Sequence, residues 1–377
     1  MSRVKVVVAN PWGERLGGAE NHLRTLLRHV DRDRVDATVV FLSGGSFADE
    51  IAALGFRTNV VPTTRLRYGG RAVLATRALR SLLRRESPDV ILSWGPKPQI
   101  YLGPVAASAG LASRNVWLLT ETPSHPIHRL AARLPAAAVM CPSNFIRARL
   151  EAVVPRRRAF VVHSGIELRP PPNRAAVAAL RERLGLPEGQ IVLGMVARLT
   201  RVKGQHRLLH ALTELRQRGV DVHALLVGGV AHGLDPAYER ELRRLVAQLG
   251  LENAITFTGH VPDVHEYLGL MDLFVSASTE DGFPMAPLEA MAQGIPVVAA
   301  DAGGPREAIE HGRSGLLVKN GEPDVLADAI ERLARDAELR RRLGHAARAR
   351  VVERFTADRM AEQLTERLEE VVRGNWR

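Results

Sequence analysis

The sequence predicts an α/β protein with two mostly parallel sheets, each covered by helices on both faces. Three observations carry that expectation. Short apolar runs without alternation, such as Val6-Val7-Val8 and Leu273-Phe274-Val275, have the pattern of strands buried on both sides. Segments with apolar residues at helical spacing follow such runs repeatedly, and this alternation implies crossovers between parallel strands. Glycine and proline loops stand where strand gives way to helix, most clearly in Ser276 to Asp301, SASTEDGFPMAPLEAMAQGIPVVAAD.

Length and composition set bounds. A chain of 377 residues has room for two or three domains, and 46% hydrophobic residues with few aromatics fit a globular α/β protein. One cysteine, Cys141, leaves no intramolecular disulfide and no zinc site built on several thiolates, so a reducing cytosol is the expected compartment. No signal-peptide pattern precedes the first strand, and no apolar run approaches a membrane span. The net charge of +11 points to acidic partners, but no nucleic-acid recognition module is visible.

In the first half, strands are expected at Arg3–Ala9, Ala37–Phe41, Thr58–Val61, Asp89–Ser93, Asn115–Thr120, Ala138–Pro142 and Ala159–His163. Helices are expected at Ala19–Val30, Phe47–Leu54, Arg71–Arg85, Gln99–Ala109 and Asn144–Val153, the last capped by Ser143. The loop Asn10 to Gly18, NPWGERLGG, is not a GxGxxG fingerprint, which argues against a dinucleotide dehydrogenase. Asp31-Arg32-Asp33 has the Asp-x-Asp form of a metal site, yet it falls between a helix and a strand and reads as a solvated turn. His125 and His128 have no third ligand nearby in sequence, so no metal is expected there. The stretch Arg65 to Arg85 carries seven arginines interleaved with apolar residues. It reads as a sheet-covering helix with a solvated basic face, or as a peripheral contact with an anionic membrane.

Proline-rich Arg169–Asn173 reads as a linker, giving an N-terminal domain over 1–168, a C-terminal domain over 169–355 and a final helical segment over 356–377. Beyond the linker, strands are expected at Ile191–Val196, Val222–Val227, Ile255–Thr258, Leu273–Val275, Ile295–Ala300 and Gly315–Val318. Helices are expected at Arg174–Leu184, Gln205–Gln217, Tyr238–Leu249 and Thr356–Val372. Loops at carboxyl strand ends beside helix N-termini are where open α/β sheets bind ligands, and free amides there favour anions. Asp281 and Glu289 bracket one such loop, and a carboxylate can accept from both hydroxyls of a sugar diol. Arg198 and Lys203 flank another. A cation near a helix N-terminus costs roughly 0.3–1 kcal/mol unless an anion compensates, so a diphosphate would reverse that penalty.

The run DGFPMAPLEAMAQGIPVVAADAGGPREAIEHGRSGLLV resembles the C-terminal signature of family 4 retaining glycosyltransferases, which have the GT-B fold of two Rossmann-like domains facing across a cleft. Their pattern is Glu, seven residues, Glu, with Gly-Phe-Pro after the first. Asp281 takes the first acidic position, with Glu280 adjacent as a substitute, and Glu289 takes the second. The resemblance implies that Arg198 and Lys203 meet the donor diphosphate without a metal or other cofactor, and that Asp281, Glu280, Gly282, Phe283, Pro284 and Met285 surround the donor sugar. It further implies that Glu289 meets the ribose, that His260 and Val261 pack on the base, and that Gly303 and Gly304 meet phosphate or ribose. Gly17 and Gly18 resemble the family's N-terminal Gly-Gly loop. Glu121 and His125 stand near the position of a family histidine that touches the donor sugar.

The implied activity is transfer of a sugar from a UDP- or GDP-sugar to a hydroxyl of a glycan or lipid-linked acceptor, in cell-envelope synthesis in the cytoplasm or at the inner membrane face. The alternatives are a non-catalytic nucleotide-sugar binder and a sugar phosphorylase or epimerase of the same fold.

Overall fold

In a computed structural model, residues 3–14, 17–63, 69–230 and 236–374 are described. The chain divides into two compact units. The first joins residues 1–167 to 357–377, and the second spans Leu168–Thr356.

In the first unit, β1 (Val4–Asn10), β2 (Val35–Phe41), β3 (Arg57–Val60), β4 (Val90–Trp94), β5 (Asn115–Leu118), β6 (Ala138–Cys141) and β7 (Ala159–Val161) form one sheet in the order β3-β2-β1-β4-β5-β6-β7. Every pairing is parallel. The helices of this half are α1 (Gly18–His29), α2 (Ser46–Ala53), α3 (Gly69–Glu86), α4 (Pro96–Ser108), α5 (Pro126–Arg133) and α6 (Asn144–Val153). Alternate residues of β1 divide between two cores. Val4, Val6 and Val8 pack with Leu23, Leu26 and Leu27 of α1, whereas Val7 and Ala9 pack with Leu79 and Leu83 of α3 and Leu102 and Val105 of α4. Period-two geometry sends neighbours to opposite faces, and two covered faces leave no polar alternation to read.

The second unit contains α7 (Arg174–Arg183), β8 (Ile191–Val196), α8 (Gln205–Gln217), β9 (Val222–Val227), α9 (Pro236–Leu249), β10 (Ile255–Phe257), α10 (His265–Leu268) and β11 (Leu273–Ser276). These are followed by α11 (Met285–Ala292), β12 (Val297–Ala300), α12 (Pro305–Ala308), β13 (Leu316–Val318), α13 (Pro323–Arg335) and α14 (Ala337–Arg354). Its sheet runs β10-β9-β8-β11-β12-β13, again wholly parallel. Leu193 and Met195 of β8 share a core with Leu208, Leu209 and Leu212 of α8 and with Leu326 and Ile330 of α13.

Helix α15 (Ala357–Arg373) returns to the first unit, where Met360, Ala361, Leu364, Leu368 and Val371 complete the core under β1 and α1. Both sheets reverse strand order beside their first strand, at β1/β4 and at β8/β11. Crevices at such reversals, outside the carboxyl ends of the strands, are the ligand sites of doubly wound folds.

Two helix expectations are refined, and two further readings are located in the structure. Helix α4 begins at Pro96, ahead of the expected Gln99, because Pro at the first turn loses no needed hydrogen bond. Helix α5 occupies residues read as loop. Asp31-Arg32-Asp33 is a turn, with Asp31 Oδ1 accepting from the Asp33 amide at 2.8 Å, and it precedes β2 at the amino edge of the sheet. Of Arg65–Arg85, residues 65–68 lie outside the described residues. The remainder lies in α3, which buries Ala75, Leu79, Leu82 and Leu83 while Val73 and Leu74 stay exposed. No described helix is long and apolar enough to cross a membrane.

Candidate active site

The second unit gathers loops from five adjacent strands at one edge of its sheet. Strand β8 leads to Arg198 and a single 3-10 turn, Arg201–Lys203. Gly204 then takes the left-handed conformation, φ 74°, to start α8. A Cβ on Gly204 would come within 2.1 Å of the Ala277 carbonyl oxygen, so only glycine lets this turn lie against the end of β11. Thr279 closes the contact by donating its amide to the Val202 carbonyl at 2.8 Å.

That approach brings two predicted residues together. Lys203 Nζ lies 3.1 Å from Asp281 Oδ2, with the carboxylate side chain only 11% exposed. Asp281 is itself fixed by backbone bonds to the β12 loop: its amide donates to Ala302 at 3.0 Å, and its carbonyl accepts from Gly304 at 2.9 Å. Asp281 and Gly303 form a parallel bridge that extends the sheet past its regular strands. Glu280 and Gly282 are half-buried beside it. Phe283 turns its ring inward against Phe355, with centroids 5.7 Å apart, and leaves its backbone toward the loop.

Pro284 caps α11, which carries half-buried Met285 and Glu289. On the other side of β8, the Gly228 amide donates to the Gly259 carbonyl at 3.0 Å, next to exposed His260 and half-buried Val261. Arg198 is exposed, makes no ion pair among the described residues, and lends its carbonyl to Gln205 Nε2 at 2.8 Å. The edge thus presents two cations, several acids and a set of loop and helix-start amides, a combination suited to a phosphate-linked polyol.

In the first unit, Gly17 precedes α1 and Gly18 opens it, at the carboxyl edge of β1. Among the described residues, a Cβ on either would meet nothing within 4 Å. Glu121 is exposed beyond β5. His125 caps α5, its Nδ1 accepting from the Ile127 amide at 3.3 Å. His128 is buried and burial lowers its pKa, opposed by the charge of Glu121 and assisted by that of His125. Among the described residues no group of three or more His, Cys, Asp or Glu is placed to hold a metal ion.

Comparison with known proteins follows the same division. A family model described as "Glycosyltransferase Family 4" matches residues 16–169, and one described as "Glycosyl transferases group 1" matches 177–350. A D-inositol 3-phosphate glycosyltransferase of Stackebrandtia nassauensis is 31% identical over 69% of this chain and 67% of its own length. The chain belongs to glycosyltransferase family 4.

Other relatives of this glycosyltransferase align over nearly their whole length. A GDP-mannose-dependent alpha-(1-6)-phosphatidylinositol monomannoside mannosyltransferase of Mycobacterium tuberculosis is 28% identical across 97% of this chain and 98% of its own. Anabaena HepE, solved in complex with UDP-glucose, superposes with a TM-score of 0.84 at 26% identity over 98% of this chain and 100% of the other. The fold of the glycosyltransferase is accordingly GT-B. Sequence reasoning gave Gly204 no role of its own, although it stands between Lys203 and a predicted helix. It also passed over the α5 start, where a polar residue followed by Pro126 marks a helix N-terminus.

Proposed function

We propose that this enzyme transfers a sugar from a UDP- or GDP-sugar to a hydroxyl of a glycan or lipid-linked acceptor in cell-envelope synthesis, with retention at the anomeric carbon. The observation that carries the reading is the Lys203–Asp281 contact, which joins a phosphate-type cation to a sugar-type acid at the strand reversal of the second unit. The second unit then holds the donor, and the first takes the acceptor.

The difficult step breaks the bond between the anomeric carbon and the diphosphate oxygen while negative charge grows on the leaving group. Arg198 and Lys203 stabilise that charge because fixed cations need no reorganisation as it develops. The Gly303 amide adds to this, with Gly304 holding the turn in place through its bond to the Asp281 carbonyl, and Glu289 accepts from the ribose hydroxyls. Asp281 and the amides of Gly282 and Phe283 hold the sugar, Glu280 stands beside them, and the base lies on His260 and Val261. The acceptor hydroxyl attacks from the leaving-group side and its proton passes to a donor phosphate oxygen, so no side chain becomes a covalent intermediate. Gly17 and Gly18 let the acceptor approach, with Glu121 and His125 orienting donor sugar or acceptor.

The enzyme works in the cytoplasm at the inner membrane face. Support comes from α3, where exposed Val73 and Leu74 share a helix with exposed Arg77, Arg84 and Arg85, a pattern suited to an anionic surface. Thermal-shift titration with UDP, GDP and ADP tests the donor assignment. Stabilisation by UDP or GDP that grows with concentration is the expected result, and no shift with any nucleotide would overturn it.

A further inference from the structure

Three arginines of α14 donate to carbonyls at the carboxyl ends of other helices. Arg340 Nη1 donates to Leu333 and Ala334 at 2.5 and 2.8 Å, closing the end of α13. Arg348 Nη1 donates to Ala292 at 2.5 Å, closing the end of α11. Arg350 Nε and Nη2 donate to Ala308 and Glu307 at 2.6 and 3.0 Å, closing the end of α12. A cation suits such an end, where the last carbonyls lack partners within the helix and the dipole is negative.

Arg350 differs from the other two in where its contacts lead. Its side chain is 13% exposed, and its remaining amino group, Nη1, pairs with Glu310. Burial lowers its pKa, and the charge of Glu310 opposes that. Desolvation offsets most of what a buried ion pair gains, so stability alone is a weak reason for this residue. Geometry is a better one, because a planar fork engaged on both carbonyls and the carboxylate admits one placement. Two routes run from that fork to the donor-sugar loop. The first is through backbone. Helix α12 has four residues, too few to hold its own conformation, and it follows Gly304, whose amide donates to the Asp281 carbonyl at 2.9 Å. A Cβ on Gly304 would lie 2.3 Å from the Gly282 carbonyl oxygen, so this turn rests directly on Gly282 and Phe283. The second route is through rings. The guanidinium carbon stands 5.7 Å from the Phe355 centroid, and Phe355 meets Phe283 edge-on with centroids 5.7 Å apart. Both rings are buried.

We propose that Arg350 is a positioning residue for the donor sugar: acting through α12 and Phe355, it sets where the Gly282 and Phe283 amides stand. The inference rests on the donor reading above, in which those amides hold the sugar, and it adds a residue that lies behind the loops of the site.

Arg350→Met keeps the apolar stem and removes the fork, and Arg340→Met does the same to the matched contact on α13. Full-length wild type and variants are compared by urea midpoint and by calorimetry with UDP, GDP, UDP-glucose, UDP-galactose, UDP-N-acetylglucosamine and GDP-mannose. Arg350→Met should bind the sugar conjugate about tenfold less tightly than wild type, the size of one lost hydrogen bond, while the bare nucleotide should change by less than about threefold. Arg340→Met should lower the urea midpoint as Arg350→Met does and leave both ligands as in wild type. Arg350→Lys, which keeps a charge beside Glu310 but not the fork, should show the same selective loss with less destabilisation. Phe355→Leu should also weaken the conjugate, and joined to Arg350→Met it should cost less than the product of the two single losses, because both act on Phe283. Equal losses for nucleotide and conjugate, an equal loss in Arg340→Met, or independent losses in the double variant would overturn the proposal. Nucleotide binding by wild type with no selective loss in Arg350→Met or Arg350→Lys refutes the positioning role alone, whereas absent nucleotide binding by wild type refutes the donor reading.

Discussion

The two sheets share a strand order and end in edges of different electrostatic character. At the second edge, Lys203 is paired with Asp281 at 3.1 Å and the loops around them are tied by backbone hydrogen bonds. At the first, Lys97 rests on Trp12 with no acid partner among the described residues. A cation paired within the protein keeps its geometry before any ligand arrives, which suits a site that must be preorganised for developing charge. A cation left without an acid retains its attraction for whatever anion is brought to it. In the proposed reading, the contrast is between holding a transition state and selecting a substrate.

The sharpest way to break this contrast is at Lys203. Lys203→Ala should lower transfer by about 10²–10³-fold, the usual cost of removing one preorganised stabiliser, while Arg341→Ala, on an exposed face of α14, should stay within about twofold in the same assay. Comparable losses would remove the special status of the second edge.

Next in size is a pH effect behind the first edge. His22 of α1 is buried against Trp94 and Met360, and burial brings its pKa from 6.5 to about 4. The unfolded chain therefore binds a proton that the folded chain refuses. The stability this group contributes is complete above its ordinary value, declines as pH falls below it, and is lost once pH passes about 4, a change on the order of 3 kcal/mol. Urea midpoints at neutral and mildly acidic pH should show that slope in the wild type and a flatter one in His22→Leu.

Gly204→Ala tests whether the second edge depends on close backbone approach. Its φ of 74° and the 2.1 Å clash with Ala277 predict a loss of roughly 2 kcal/mol or more in denaturant unfolding. The smallest effect is at Glu289. Glu289→Gln should weaken nucleotide binding by about tenfold, and a 2′,3′-dideoxynucleotide should bind wild type and variant alike, since a lost charge-assisted bond is felt only where the hydroxyls exist. Calorimetry with the two nucleotides checks both halves.

How much of this the sequence could disclose depended on range. Elements were legible because fully buried strands such as β6 and β12 leave unbroken apolar runs. The site loops were legible because their residue types are demanded locally, as with the Asp281 to Pro284 break between strand and helix. Strand order was not, since neighbours such as β8 and β11 pair across most of a domain. The Lys203–Asp281 contact spans 78 positions and was visible only as two separate expectations. Lys97 drew no attention at all, because nothing in PKPQI tells that an indole lies beneath its ammonium and that, among the described residues, no carboxylate pairs with it. His125 stood out as a histidine in a loop, while its capping of a short helix emerged only with the backbone.

Helix α15 has a consequence for biogenesis. Because Met360, Leu364 and Leu368 fill the hydrophobic space beneath β1, the first unit lacks part of its interior until the ribosome has translated all of the second. Emergence order is thus reversed in assembly. The later-made unit is free to fold from a continuous segment, and the earlier-made one waits, with its apolar strands in need of shelter from aggregation, for a helix encoded after its neighbour.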